Sequence, residues 1–144
     1  MTDADIVAIE RACERLVITY THLVDGGRAA AVADLFTVDG VWSSGGNRLE
    51  GREAIRAAFT RRQESDRTSR HVCTNLLVDV IDADHATGLV YLTLYRHDGS
   101  GRGVPEPDLV GEYRDRFART PEGWRFTERI ATMAFERTPP PSGG

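Results

Sequence analysis

Apolar residues recur at three- and four-residue steps through Ile6, Ile9, Cys13, Leu16, Val17, Tyr20, Leu23 and Val24. That spacing lines one face of an α-helix and predicts one from about Asp3 to Val24. Asp3 and Asp5 suit the positive end of its dipole, and Gly26-Gly27 supplies a glycine stop. A shorter helix is expected over Arg28–Phe36, burying Val32, Leu35 and Phe36. Asp39-Gly40 then turns the chain into a strand at Val41–Ser43. Gly45-Gly46-Asn47 turns it back through Arg48–Glu50. A third helix is expected over Arg52–Glu64, with Ile55, Ala58 and Phe59 facing inward and Arg52, Arg56, Arg61 and Arg62 on a solvated face.

From Arg70 onward the period shortens to two. Arg70–Ile81, Ala86–His97, Leu109–Arg119 and Trp124–Phe135 are rich in β-branched, aromatic or alternating residues and read as strands. Between the second and third of these, Gly99–Asp108 reads as a mobile loop, placed to lie over a pocket mouth. Helices followed by strands predict an α+β domain, with the helices on one face of a curved, mostly antiparallel sheet. In Leu89–Tyr95 both strand faces are apolar, with Val90, Leu92 and Leu94 on one and Leu89, Tyr91 and Tyr95 on the other. The second face needs cover, which predicts a homodimer or higher homo-oligomer.

The 144 residues fit one domain, expected over 1–137 with a disordered Pro/Ser/Gly tail over 138–144. A net charge of −4 gives no reason to expect a nucleic-acid partner. No apolar run approaches the roughly 18 residues of a membrane span. The Met-Thr-Asp-Ala-Asp start has no basic leader, so a cytoplasmic location is the expectation. Cys13 and Cys73 belong to no CxxC motif and read as buried free thiols.

Three residues stand apart from simple packing. Tyr20 puts a phenol on the apolar stripe of the first helix, where its hydroxyl needs a partner. A core tyrosine bonded to a backbone carbonyl is an equally ready account. Asp25 follows five residues later, about 140° around an unbroken helix, so the two converge only if the helix ends or loosens first. A helix-end residue is the plainer account of Asp25. Alternation places His71 with Cys73, Asn75, Leu77 and Ile81 on one mostly apolar face. A lone histidine there is more often structural, but beside a buried carboxylate it is a general acid/base. His22, His85 and His97 lack such settings. No HxH, HxxxH or HExxH pattern, GxGxxG, P-loop or GxSxG elbow is present. No metal and no cofactor is therefore expected, leaving an acid/base pocket or a pure binding pocket.

Several stretches, in order, resemble the SnoaL-like branch of the nuclear transport factor two-like superfamily: Tyr20-Thr-His-Leu-Val-Asp25-Gly, Asp34-Leu-Phe36, Asp39-Gly-Val-Trp42, Gly51-Arg-Glu-Ala-Ile55, the His71…Asn75 strand, Gly111-Glu-Tyr113-Arg-Asp115 and Gly123-Trp124-Arg-Phe126. The resemblance runs from about Ile6 to Ala134 and implies a cystatin-like α+β barrel, in which three helices and a curved sheet enclose a cone-shaped pocket. Within that branch, Tyr20, Asp25 and His71 fall on positions that bile-acid 7α-dehydratases and, more loosely, scytalone dehydratases use for acid/base elimination of water. Leu94 and Met133 stand where the bile-acid enzymes carry an aspartate and an arginine, which implies a more apolar pocket. The expectation is a cofactor-independent dehydratase or isomerase acting on a small hydrophobic cyclic compound. His71 would be the base, Asp25 its partner and Tyr20 the donor, with Trp42, Phe59, Asn75 and Tyr113 contacting substrate. The alternative is a non-catalytic ligand-binding or assembly module of the same fold.

Overall fold

Thr2 starts the first helix by a reciprocal cap. Its hydroxyl accepts from the Asp5 backbone at 3.1 Å, and the Asp5 carboxylate accepts from the Thr2 backbone at 2.9 Å. In the computed structural model, which describes residues 1–137, this helix (α1) spans Asp3–Asp25. The expected tail over 138–144 lies outside the described residues. At the other end of α1 the Gly26 N–H donates to the His22 carbonyl at 2.9 Å, and Gly27 takes a φ of +83° that glycine adopts without strain. The second helix is a 3₁₀ segment, Ala29–Leu35, and Phe36 already begins β1 (Phe36–Ser44). That strand starts well before the expected Val41, because an irregularity between Phe36 and Val41 conceals its alternation. β2 (Asn47–Glu50) returns antiparallel, and α2 (Arg52–Glu64) follows.

Four long strands complete the fold: β3 (Arg67–Asp82), β4 (His85–Asp98), β5 (Leu109–Thr120) and β6 (Gly123–Glu136). The six strands form one sheet in the order β2-β1-β6-β5-β4-β3. β1 and β6 run parallel and every other neighbouring pair runs antiparallel, so the sheet is mixed. Its two edges, β2 and β3, do not pair with each other. The sheet is therefore open, and the closed barrel implied by the resemblance is not formed.

The core lies between α1 and the sheet. Val17, Tyr20 and Val24 are buried with Val90, Leu92, Tyr113, Phe117 and Phe126. Each such side chain contributes about 1.5–3 kcal/mol of burial free energy. Two bulges decide which side chains reach this core. In β3, Thr74 pairs with Tyr91 but Leu77 pairs with Leu89, so β3 carries one extra residue there. Asn75 absorbs the kink with a φ of +56°, the one positive φ outside glycine among the described residues. Beyond it the faces exchange, as a one-residue slip requires. Val78 is buried, and Leu77 and Ile81 are exposed. The expected shared face of His71, Asn75, Leu77 and Ile81 is corrected accordingly. In β6 a similar extra residue separates Phe126, opposite Phe117, from Glu128, opposite Arg116. It turns Arg129 inward.

Candidate active site

Asp25 ends α1 and leans onto the start of β3. Its Oδ1 lies 2.7 Å from His71 Nδ1, while its Oδ2 accepts the His71 backbone N–H at 2.8 Å. The Ser69 hydroxyl donates to Oδ1 at 2.8 Å and itself accepts from Arg62 Nη2 at 2.8 Å. Burial pushes the Asp25 carboxyl up. The His71 ring and backbone hydrogen bonds and the Ser69 hydroxyl outweigh that and hold it below its ordinary value. An ionised carboxylate can only accept, so Nδ1 of a neutral His71 must carry the proton. Nε2 is then the ring nitrogen with a free lone pair.

α1 neither ends nor loosens before Asp25, so Tyr20 and Asp25 diverge as an unbroken helix dictates. They reach the site separately. The Tyr20 ring stands edge-on to the His71 ring at 6.4 Å. Trp42 Nε1 donates to the Tyr20 hydroxyl at 2.9 Å. Because an indole N–H can only donate, the phenol oxygen is fixed as acceptor and its proton is left for another group. Burial raises the Tyr20 phenol above its ordinary value, with the Arg129 charge and the Trp42 and Tyr113 side chains acting in the other direction.

Behind the tyrosines lies a second ion pair. Arg129 Nε and Nη2 donate to the two Asp115 oxygens at 2.8 and 3.2 Å, a two-pronged contact with both side chains fully buried. The guanidinium carbon sits 3.7 Å from the Tyr113 ring centre and 4.3 Å from that of Tyr20. Burial lowers the Arg129 guanidinium most strongly, but Asp115, Tyr113 and Tyr20 together outweigh it and leave Arg129 above its ordinary value. Its Nη1 has no hydrogen-bond partner.

A cavity of about 340 Å³ opens beside these groups, within the range of small-molecule sites. Tyr20 and His71 line it, as do Trp42, Phe59 and Tyr113, and both Leu94 and Met133 contribute apolar wall. Asp25 stands behind His71. Asn75 is exposed at the β3 bulge and is not part of the lining, which corrects its expected place in the pocket. The loop expected over the mouth contributes no lining residue either. Its Gly103, Val104 and Pro105 pack beside Thr68 and His97 instead. Among the described residues, no three His, Cys, Asp or Glu side chains converge as a metal site would need.

The SnoaL-like domain family matches residues 5–130, most of the chain. The protein belongs to that family. Solved structures extend the likeness. A candidate scytalone dehydratase from Novosphingobium aromaticivorans is 19% identical, with a TM-score of 0.84 over 99% of this chain and 95% of that one. A candidate aromatic ring hydroxylase from the same organism is 29% identical, with a TM-score of 0.76 over 92% and 91%. LinA is 21% identical, with a TM-score of 0.79 over 97% and 100%. No curated protein matches the sequence significantly.

Four functional candidates in this SnoaL-like domain escape the sequence reading. Arg62 belongs to the helix face expected to be solvated, yet it lines the cavity. Its neighbours are not idle either. Arg52 donates to the Phe36 carbonyl and Arg56 to Asp34. Ser69 precedes the expected start of β3. Asp115 was detectable, since alternation from Leu109 through Tyr113 to Phe117 places a carboxylate on an apolar face. Arg129 was not, because the β6 bulge hides its inward turn.

Proposed function

We propose that the cavity is a cofactor-independent acid/base active site, of a dehydratase-type lyase or an isomerase, for a small hydrophobic cyclic compound. The single observation that carries this reading is the His71–Asp25 contact at 2.7 Å, made by a histidine that lines the same cavity as Tyr20. His71 Nε2 removes a proton from carbon next to a carbonyl, and Asp25 stabilises the imidazolium that forms. Tyr20 donates its free proton. In an elimination that proton goes to the departing hydroxyl, which leaves as water while the carbon–carbon double bond forms. In an isomerisation Tyr20 hydrogen-bonds the enolate oxygen, and the imidazolium returns its proton to a different carbon. Trp42, Phe59 and Tyr113 contact the apolar body of the substrate. Asn75 stands apart from that contact. Structures of this fold named for scytalone dehydratase and for hexachlorocyclohexane dehydrochlorinase lend elimination a precedent.

Exchange of the α-protons of 2-tetralone in D₂O, followed by proton NMR, tests proton abstraction directly. The wild-type protein should accelerate exchange over buffer, and His71→Ala should lower that acceleration by roughly 10²–10⁴-fold. No acceleration, or equal acceleration in His71→Ala, contradicts the assignment.

A further inference from the structure

Most of the cavity wall is aromatic or aliphatic, but three guanidinium groups line it: Arg62, Arg67 and Arg96. Two are neutralised in place. Arg67 holds Asp98 at 2.7 Å and Arg96 holds Asp108 at 3.1 Å. Arg62 has no carboxylate within ion-pairing distance among the described residues. Among the described residues its side chain makes one hydrogen bond, through Nη2 to the neutral Ser69 hydroxyl at 2.8 Å. A guanidinium carries five N–H donors in a fork that matches a carboxylate. Partial burial and then the nearby Arg67 charge disfavour the Arg62 cation and outweigh the Asp25 and Asp98 carboxylates, lowering it from its ordinary value. Holding a cation beside an apolar wall without a direct ion-pair partner is costly, and a bound anion offsets that cost.

We propose that Arg62 receives the anionic group of the substrate, so that the cavity binds a hydrophobic carboxylate more tightly than a neutral molecule of the same shape. This deepens the acid/base reading and rests on it for the choice of cavity. Arg62 reaches His71 through Ser69 and Asp25, with contacts of 2.8, 2.8 and 2.7 Å. The carboxylate is thus bound near the reacting carbon. The apolar body extends toward Trp42 and Phe59.

Matched probes separate charge from shape. 2-Naphthoate and 2-naphthamide share a bicyclic body that a cavity of about 340 Å³ admits, and differ at the anionic group. In calorimetric titrations the wild-type protein should bind naphthoate at least about tenfold more tightly than naphthamide. Arg62→Met should abolish that preference, and Arg62→Lys should retain part of it. His71→Ala should keep it, so loss of proton exchange and loss of anion selectivity are read separately. Equal or tighter binding of the amide overturns the proposal. So does the absence of saturable naphthoate binding up to about 1 mM, or a preference that survives in Arg62→Met. The wild-type comparison stands even if Arg62→Met fails to fold.

Discussion

Two carboxylate–base pairs flank the same tyrosines, and they are built for opposite ends. The Asp25–His71 side chains keep 14% and 10% of their surface exposed, while Asp115 and Arg129 keep none. The first pair joins a carboxylate to an imidazole that lines the cavity. The second joins a carboxylate to a guanidinium that remains charged, sealed beneath Tyr20, Tyr113 and Phe126. Access separates proton transfer from fixed charge. In the proposed mechanism the outer pair moves a proton to or from a ligand. The inner pair cannot, and its charge acts on the tyrosines from behind.

If that division holds, damage to the two pairs should differ in kind. The largest effect is expected for His71→Ala, which should lower turnover by roughly 10²–10⁴-fold while circular dichroism and thermal unfolding stay close to wild type. For the inner pair the order reverses. Asp115→Asn leaves Arg129 buried beside a neutral amide and should lower stability by about 3–5 kcal/mol in urea denaturation. A loss of activity without a loss of stability would break the contrast.

Tyr20→Phe lies between the two. It strips the Trp42 indole of its acceptor and removes the proposed donor, so stability should fall by about 1–3 kcal/mol in the same urea titration. A change that lowers turnover and leaves stability untouched would mean that the indole finds another partner. Asp25→Asn should show a smaller, pH-dependent effect. The Asp25 carboxyl is held low in the folded protein, so it contributes stability above its unfolded value, near 3.9, that disappears as pH falls through the lower folded value. Wild type should therefore lose this increment across the acid range, and Asp25→Asn should lack it. Parallel stability–pH curves would contradict the assignment. The smallest change concerns the outer sheet face, where Val72, Leu77 and Tyr91 are exposed. Light scattering should report a dimer or larger assembly, and Tyr91→Lys should weaken it without altering the cavity.

The outer pair was legible in the sequence and the inner pair was only half so. Tyr20 and His71 put polar groups on apolar faces of their own elements, which pattern shows, whereas spacing alone left Asp25 as a helix-end residue and the resemblance joined the three. Asp115 makes the same kind of departure in β5. Arg129 follows a bulge, and a bulge moves every later residue to the opposite face without a mark in composition. The same device misplaced Asn75, Leu77 and Ile81. Arg62 was missed for another reason, since four arginines off the apolar stripe of α2 give no sign of which guanidinium meets a cavity to which all six strands contribute. Element order and the helix ends were readable because capping and glycine chemistry are local. Closure of the sheet depends on how the distant edges β2 and β3 are placed, and local pattern carries no information on that.

If the outer pair holds a base ready for use, the tautomer of His71 reveals it most directly. Nitrogen-15 NMR of the ring, recorded where the imidazole is neutral, distinguishes the two protonation patterns. A proton on Nδ1 directed at Asp25, with an unprotonated Nε2, is the expected result, and Asp25→Asn should disturb it. A proton on Nε2 in the wild-type protein would contradict the claim, because no lone pair would then face the cavity.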